Sequence, residues 1–217
     1  PKVVSSIFKE WLAADAEKTK LLANAEAEKV KMLANADAEK IQVTGNPVRA
    51  SIAHNRPDKQ TAIAAFSLDA SKPTILAIGG SLGARSINAA LAAGLDAIND
   101  AGVQLIWQTG KTTAVQFKEQ ATGRSNIWCD AFINQMEQAY AAADVVISRA
   151  GAMSVAELCV VAKPAIFVPF PHAAEDHQTE NAKSLVSQNA AILVRDIDVK
   201  EKLIAEALTA LQSDLST

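Results

Sequence analysis

Cysteine is scarce in this sequence, since Cys129 and Cys159 are the only two among 217 residues. Their spacing fits no metal-binding or disulfide framework, and two isolated cysteines are typical of a protein in a reducing, cytoplasmic setting.

Long apolar runs are lacking as well. No run approaches the roughly 20 residues that cross a bilayer, and no secretory signal opens the chain. The first residue is Pro1 rather than methionine, so we expect the natural protein to begin upstream.

An excess of charge of one sign is also missing. The formal net charge is −3, and 21% of the residues are charged. There is no basic run and no interleaving of basic with aromatic residues, so nucleic acid is not an expected partner. The hydrophobic share of 49% is that of an ordinary globular protein. The length suits one large domain or one and a half.

Residues 1–42 differ in kind from the remainder of the chain. Ala14–Asn24 is followed by a similar copy, Ala25–Asn35, and a third copy begins at Ala36, so the period is eleven residues. Eleven residues make about three helical turns and keep an apolar seam on one face. We therefore predict one long helix over 1–42 that forms a coiled coil or docks on a partner, with self-association through 3–41. The alternative is a solvated helix lying on its own domain.

From residue 43 onward, short apolar runs alternate with helical patterns. The runs predicted as strands are 74–78, 103–107, 126–129, 145–148, 165–168 and 191–194. The predicted helices are a connector at 51–71, a helix ending at 98, helices at 113–120 and 135–142, one ending near 161, and helices at 178–188 and 199–211. This alternation predicts an α/β fold with a doubly wound, parallel six-stranded sheet over 43–217. Ligands of such sheets bind beyond the carboxyl ends of the strands.

The segment Ile147–Glu157 predicts a binding site at one of those ends. A buried strand passes through a turn of small residues, including Gly151 and Ala152, into a helix whose first amides have no helical partner. Such a helix terminus favours phosphate. Glu157, about two turns in, would present a carboxylate to neutral hydroxyls beside that phosphate. A nucleotide-sugar site fits this pattern, and the alternative is a turn that only packs a helix on the sheet.

A glycine-rich loop, Gly79–Ala84, follows the first strand. Its backbone amides, including those at Gly80 and Gly83, and the Ser81 hydroxyl suit a diphosphate. The loop lacks the Gly-x-Gly-x-x-Gly spacing of dinucleotide-binding proteins, which argues against an NAD enzyme. Gly110-Lys-Thr-Thr looks like the end of a P-loop, but the first glycine that motif requires is absent, which argues against an NTPase.

Two acidic stretches invite a metal interpretation that we do not favour. Asp196 and Asp198 mimic the Asp-x-Asp motif of metal-dependent glycosyltransferases, but they precede a helix, and a capping role is favoured. The polar loop 170–181 contains histidines and carboxylates without the spacing of a rigid ligand set. Its amides Gln178 and Asn181, one turn apart, suit sugar hydroxyls better. We predict neither a metal nor a cofactor.

Six segments in this order resemble the MurG family: 44–49, 79–84, 148–152, Glu157, 167–170 and 177–182. The resemblance covers about residues 38–212. It implies the C-terminal, donor-binding half of a GT-B glycosyltransferase, a hexosyltransferase that moves N-acetylglucosamine from UDP-N-acetylglucosamine to a lipid-linked peptidoglycan precursor. It also implies a cytoplasmic protein and leaves open a peripheral attachment at the inner face of the plasma membrane.

The residues assigned to donor binding are Arg49, Gly80, Ser81, Gly83, Phe132, Ile133, Gly151, Ala152, Glu157, Gln178 and Asn181. The resemblance implies that the Ser81 loop holds the diphosphate, with Arg49 nearby. Phe132 and Ile133 match the uracil pocket, where the base pairs with the backbone. Glu157 matches the acid that binds the ribose hydroxyls, and Gln178 and Asn181 lie where the family recognises the N-acetylglucosamine.

The sequence departs from the family at both ends. The family's N-terminal domain, which holds the acceptor site and the proposed base, has no counterpart, and the repeat segment 1–42 stands in its place. The carboxyl end is also shorter than usual. We therefore expect no catalytic base in this chain, no contact with the lipid acceptor except through the missing domain, and no turnover by the chain alone. The alternatives are a nucleotide-sugar-binding scaffold oligomerised by its helix and a sugar epimerase; the family-like segment 44–49 argues against the epimerase.

Overall fold

The computed structural model describes residues 46–54 and 57–214. The chain divides into two units, Pro1–Gly45 and Asn46–Thr217. The predicted repeat helix and its self-association lie outside the described residues, and both stay predictions.

The second unit is built on one sheet of six strands, and all of its strand pairs are parallel. The strands are β1 Thr74–Ile78, β2 Gln104–Gln108, β3 Ile127–Asp130, β4 Val145–Ser148, β5 Ala165–Phe167 and β6 Ala191–Leu193. Their order across the sheet is β3-β2-β1-β4-β5-β6. All six lie where the sequence predicts them, so the parallel, Rossmann-like α/β prediction is confirmed.

The strands near the centre of the sheet form because their residues are apolar on both faces. Every residue of β1, β2, β4 and β5 is buried, whereas the edge strands β3 and β6 are only partly buried. A parallel sheet needs such continuous apolar runs because helices cover both of its faces.

Nine α-helices accompany the sheet in the described part of the chain. They are α1 Ala50–His54, α2 Lys59–Ala64, α3 Arg85–Ala93, α4 Leu95–Asp100, α5 Ala114–Ala121, α6 Met136–Ala142, α7 Ala152–Val161, α8 His177–Val186 and α9 Val199–Asp214. One core contains α3, α4, α5 and α9, and the other contains α1, α2, α6, α7 and α8. Neighbouring residues of β1 alternate between the two cores, so the helices cover opposite faces. None of the described helices is long and apolar enough to cross a membrane.

Two helical predictions differ from the structure. The helix predicted to end at 98 is broken at Gly94, where an added Cβ would lie 2.5 Å from a side-chain carbon of Ile204 on α9. The connector 51–71 is two short helices, and its residues Ile52 and Ile63 are 1% exposed. That stretch is part of the core because it covers the sheet face formed by Leu76 and Ile78.

The strand order places a crevice between β1 and β4. β1 pairs with β2 on one side and β4 on the other, with Ile78 level with Gln108 and with Ser148. The chain therefore leaves β1 in one direction across the sheet and later returns to its other side. Loops diverge at such a point, and parallel sheets bind their ligands there.

Candidate functional site

The glycine-rich loop after β1 is pressed against the loop after β2. Gly83 has φ +83°, and an added Cβ would lie 2.1 Å from the Thr109 carbonyl oxygen. Gly110 has φ +78°, and its added Cβ would lie 2.0 Å from the Gly83 amide nitrogen. Glycine is required at both positions because two backbones touch where any side chain would stand.

Three hydrogen bonds from β2 and the loop that follows it fix the carbonyl groups of the glycine-rich loop. The Gln108 amide donates to the Gly80 carbonyl at 3.1 Å, and the Lys111 N–H donates to the Ser81 carbonyl at 3.1 Å. The Thr112 hydroxyl donates to the Leu82 carbonyl at 2.7 Å. Within the described residues, the amides of Ser81 and Leu82 donate to no acceptor. The Gly83 N–H, which the sequence assigned to the diphosphate, instead donates to the Gly80 carbonyl at 3.1 Å. The loop therefore holds its carbonyls still and leaves the Ser81 and Leu82 amides for an anion.

The turn after β4 leads into α7, and no side chain caps the N-terminus of this helix (below, its bare N-terminus). Gly151 is its N-cap and makes no side-chain cap, so the first-turn amides beginning at Ala152 have no capping group. Asn181 donates from Nδ2 to the Ala150 carbonyl at 3.0 Å and so holds this turn. The structure thus gives the Asn181 amide nitrogen a scaffolding contact, whereas the sequence assigned it to the sugar.

Glu157, on α7, is enclosed by protein groups rather than open to solvent. The Tyr140 hydroxyl donates to Glu157 Oε2 at 2.9 Å, and Arg49 Nη2 donates to Oε1 at 3.2 Å. Glu157 is 8% exposed, and Tyr140 is 1% exposed. Burial, followed by the neighbouring carboxylate, raises the pKa of Tyr140 well above its usual range. Arg49 therefore lies against the predicted ribose acid, where the sequence had put it near the diphosphate.

A cavity of about 830 Å³ opens beside the glycine-rich loop. Of the residues assigned to the donor, Gly83 and Gln178 line it. Gln178 accepts the Phe170 N–H at Oε1, at 3.0 Å, and Phe170 lines the cavity too. Glu157 is not among the lining residues, so Gly83 and Gln178 lie at the cavity, whereas Glu157 and its partner Arg49 do not line it.

Phe132 and Ile133 follow β3 with opposite exposure. Phe132 is 45% exposed, and Ile133 is 1% exposed. The Ile133 N–H donates to Gln108 Oε1 at 3.2 Å. Pairing of a base with this backbone stays a prediction, and the Ile133 amide would have to leave Gln108 to take part in it.

Sequence reasoning missed an ion pair that joins the segments following four of the strands at this edge. Arg149 Nη1 donates to Asp196 Oδ1 at 2.6 Å and to the carbonyls of Val168 and Pro169 at 3.0 and 3.1 Å. Its Nη2 donates to the Ser86 hydroxyl at 3.0 Å. The Arg149 and Asp196 side chains are 15% and 23% exposed. The one sequence feature that could have indicated this ion pair is a lone arginine directly after a buried strand.

The predicted capping role of Asp196 and Asp198 is wrong for both residues. Asp196 accepts from Arg149 and from Ser86 and lines the cavity. Asp198 pairs with Arg195 at 2.8 Å and with Lys202 at 3.7 Å rather than with helix amides. In the part of the chain that the structure describes, no three His, Cys, Asp or Glu residues are grouped to hold a metal ion.

A family model matches most of this unit. The model of the glycosyltransferase family 28 C-terminal domain matches residues 74–217. Among curated proteins, a UDP-N-acetylglucosamine–N-acetylmuramyl-(pentapeptide) pyrophosphoryl-undecaprenol N-acetylglucosamine transferase of Bacteroides fragilis is 50% identical over 172 residues, which is 77% of this chain and 45% of the relative. The enzyme of the same name from Parabacteroides distasonis is 46% identical over 174 residues, 79% of this chain and 47% of the relative. The chain spans about half the length of the curated relatives it matches.

Solved structures agree with the fold. MurG of Acinetobacter baumannii superposes with a TM-score of 0.56 and 32% identity, over 65% of this chain and 45% of that one. WaaG, a glycosyltransferase involved in lipopolysaccharide biosynthesis, superposes with a TM-score of 0.55 and 16% identity, over 80% of this chain and 48% of that one. At that identity, the second likeness concerns the fold alone.

Proposed function

The chain belongs to glycosyltransferase family 28, whose C-terminal domain it carries, and we propose that this domain binds the UDP-N-acetylglucosamine donor of a MurG-type N-acetylglucosaminyltransferase. The acceptor of that reaction would be a lipid-linked peptidoglycan precursor, as the names of the relatives indicate. The proposal concerns half of such an enzyme, because the relatives are about twice as long as the matched region.

The observation that carries the proposal is the pairing of two amide-rich backbone elements on adjacent strands. The loop Gly79–Ala84 follows β1, the bare N-terminus of α7 follows β4, and β1 pairs directly with β4. A diphosphate between them would accept amide hydrogen bonds from both. The cavity beside the loop offers the Phe170 ring and the Gln178 amide, and an aromatic face with a polar amide suits a sugar.

The same amides would assist the reaction. When the bond between the sugar and the diphosphate breaks, negative charge grows on the leaving phosphate oxygens. Fixed amide dipoles stabilise this charge without needing to reorganise, which is the largest contribution in many enzymes. Because the loop carbonyls are already held by Gln108, Lys111 and Thr112, the amides keep their direction throughout the reaction.

The proposal includes inactivity of the isolated chain. The large apolar side chains that are exposed in the described residues are Leu82, Val115, Phe132, Met153, Phe170 and Ile197. Each follows the carboxyl end of a different strand, so together they mark the edge where the site lies. We propose that the remaining half of the enzyme covers this edge and brings the acceptor and the base, since transfer needs both partners held in line.

Calorimetry on the 217-residue chain tests donor binding. We expect saturable binding of UDP-N-acetylglucosamine, and UDP should bind more tightly than ADP because the base would be read beside Phe132 and Ile133. Equal affinities for UDP and ADP would remove the uracil assignment, and no binding of either would refute the proposed function.

A transfer assay tests the half-enzyme claim separately. With radiolabelled UDP-N-acetylglucosamine and a lipid-linked acceptor, the purified chain should transfer no label. Transfer by the chain alone would show that an acceptor site and a base lie within it, contrary to the proposal.

A further inference from the structure

Glu157 is held by two donors that come from different parts of the chain. Tyr140 lies on α6 and reaches Oε2 at 2.9 Å, while Arg49 precedes α1 and reaches Oε1 at 3.2 Å. The two donors therefore bind different oxygens of one carboxylate, and they approach it from separate elements.

The two donors differ in how much of each is exposed to solvent. Tyr140 is 1% exposed and is packed in the core with Ile52 and Leu158. Within the described residues its hydroxyl has no other hydrogen-bond partner, so a buried donor would be left unpaired without the carboxylate. The Arg49 side chain is 49% exposed. Tyr140 is thus the fixed donor, and Arg49 can exchange with water.

A carboxylate has about four lone-pair positions, and the two donors occupy one on each oxygen. The remaining positions can accept hydroxyl groups from a ligand. Their direction depends on the orientation of the carboxyl plane, and the Tyr140 hydrogen bond restricts that orientation.

We infer that Tyr140 is a positioning residue for recognition of the donor ribose, because it orients the Glu157 carboxylate toward the ribose hydroxyls. The inference rests on the proposed function, in which Glu157 binds those hydroxyls. Tyr140 itself does not touch the ligand, and its contribution should appear only with ligands that carry the hydroxyls.

The test compares UDP with 2′,3′-dideoxy-UDP by calorimetry on three proteins. The wild-type chain should bind UDP about tenfold or more tightly than the dideoxy compound, the range expected for hydrogen bonds to a charged group. Tyr140→Phe removes the hydroxyl and keeps the ring. It should reduce the preference to about threefold or less while leaving dideoxy-UDP affinity unchanged.

Thr74→Val is the matched control. It removes another buried hydroxyl, one that accepts from Gln104 at 3.2 Å, at the amino end of β1 and away from the site. It should keep the wild-type preference. A folded Tyr140→Phe variant with the full preference would overturn the inference and leave the proposed function standing. A wild-type protein without any preference would instead refute the assignment of Glu157 to the ribose, and the inference with it.

A second measurement needs no variant and covers the case in which Tyr140→Phe does not fold. The chain contains one tyrosine, so ring-carbon labelling gives a single Cζ resonance in the NMR spectrum. Because Cζ carries the hydroxyl, its chemical shift follows the hydrogen bond to Glu157. UDP should move this resonance, and dideoxy-UDP should leave it near the ligand-free position. An unchanged resonance in saturating UDP would contradict the inference.

Discussion

At the scale of single residues, the charged groups at the carboxyl edge are mostly engaged by other protein groups. Arg149 is held by Asp196, and Glu157 by Tyr140 and Arg49. The partners are far apart in sequence: Arg149 and Asp196 are separated by 47 positions, and Arg49 and Glu157 by 108. No local spacing reveals such pairs, so the sequence predicts a helix cap at Asp196 and does not predict that Tyr140 and Arg49 bind Glu157.

Asp196→Asn should lower the free energy of unfolding by about 1–3 kcal/mol. The reason is that Arg149 would be left mostly buried without a counter-ion. Removing one partner of a fully buried ion pair lowers the free energy of unfolding by more than this range. We discount the fully buried value because both side chains retain some exposure. Chemical denaturation of the whole chain gives the difference.

Asp96→Asn is the control for that change. Asp96 pairs with Arg124 at 2.7 Å, but its side chain is 85% exposed. Its loss should cost no more than about 0.5 kcal/mol, as for other surface pairs. Equal effects of the two substitutions would mean that the Arg149–Asp196 pair does not stabilise the loops.

Tyr140 should resist ionisation at alkaline pH. Burial and the Glu157 carboxylate raise its pKa in the folded protein above that of about 10 in an unfolded chain. A raised folded-state pKa favours the neutral phenol, so the Tyr140 contribution to stability is complete below about pH 10 and is lost as the pH rises further. Since this is the only tyrosine in the chain, tyrosinate absorbance reports it alone. At about pH 11 the folded protein should show almost no tyrosinate absorbance, whereas the tyrosine of the protein in denaturant should titrate with its ordinary pKa of about 10. Ionisation of the tyrosine near pH 10 in the folded protein would contradict the burial of the hydroxyl.

At the scale of elements, the sequence predicts the strands well because apolar runs in a parallel sheet have few alternatives. Val145–Ser148 matches β4 at both ends. The break at Gly94 was missed because the apolar period continues through it. Its cause is the close packing of Ile204 from α9, which lies far along the chain. The glycine-rich loop was recognised, but its dependence on Gly110 follows from a contact between two backbones that no spacing predicts.

Ala152→Pro tests the N-terminus of α7 as an anion site. Ala152 is the first helical residue, where proline is tolerated, and Gly151 already has the extended conformation that a following proline requires. The substitution deletes one N–H group and should keep the helix. Affinity for UDP should fall by about 1–3 kcal/mol, since a donor to a charged phosphate is lost. Lys59→Pro, at the first residue of α2, deletes an N–H group after the extended residue Asp58. It also removes the Lys59–Asp144 ion pair at the amino end of β4, and it should leave UDP affinity unchanged in the folded protein. A folded Ala152→Pro variant with wild-type affinity would place the diphosphate elsewhere.

At the scale of the whole molecule, the described unit is a sheet with its binding features gathered at one edge. The glycine-rich loop, the bare N-terminus of α7, the cavity and the exposed apolar side chains all follow strand ends on that edge. The central claim is therefore spatial: the donor diphosphate lies between the loop after β1 and the turn after β4.

Backbone amide NMR during titration with UDP-N-acetylglucosamine tests this claim most directly. The amides of Ser81, Leu82 and Ala152 should show the largest shift changes, because they would donate to the phosphate oxygens. Amides at the amino ends of the strands, such as Thr74 and Gln104, should barely move. Changes concentrated at those amino ends, with Ser81 and Ala152 unaffected by saturating ligand, would contradict the account.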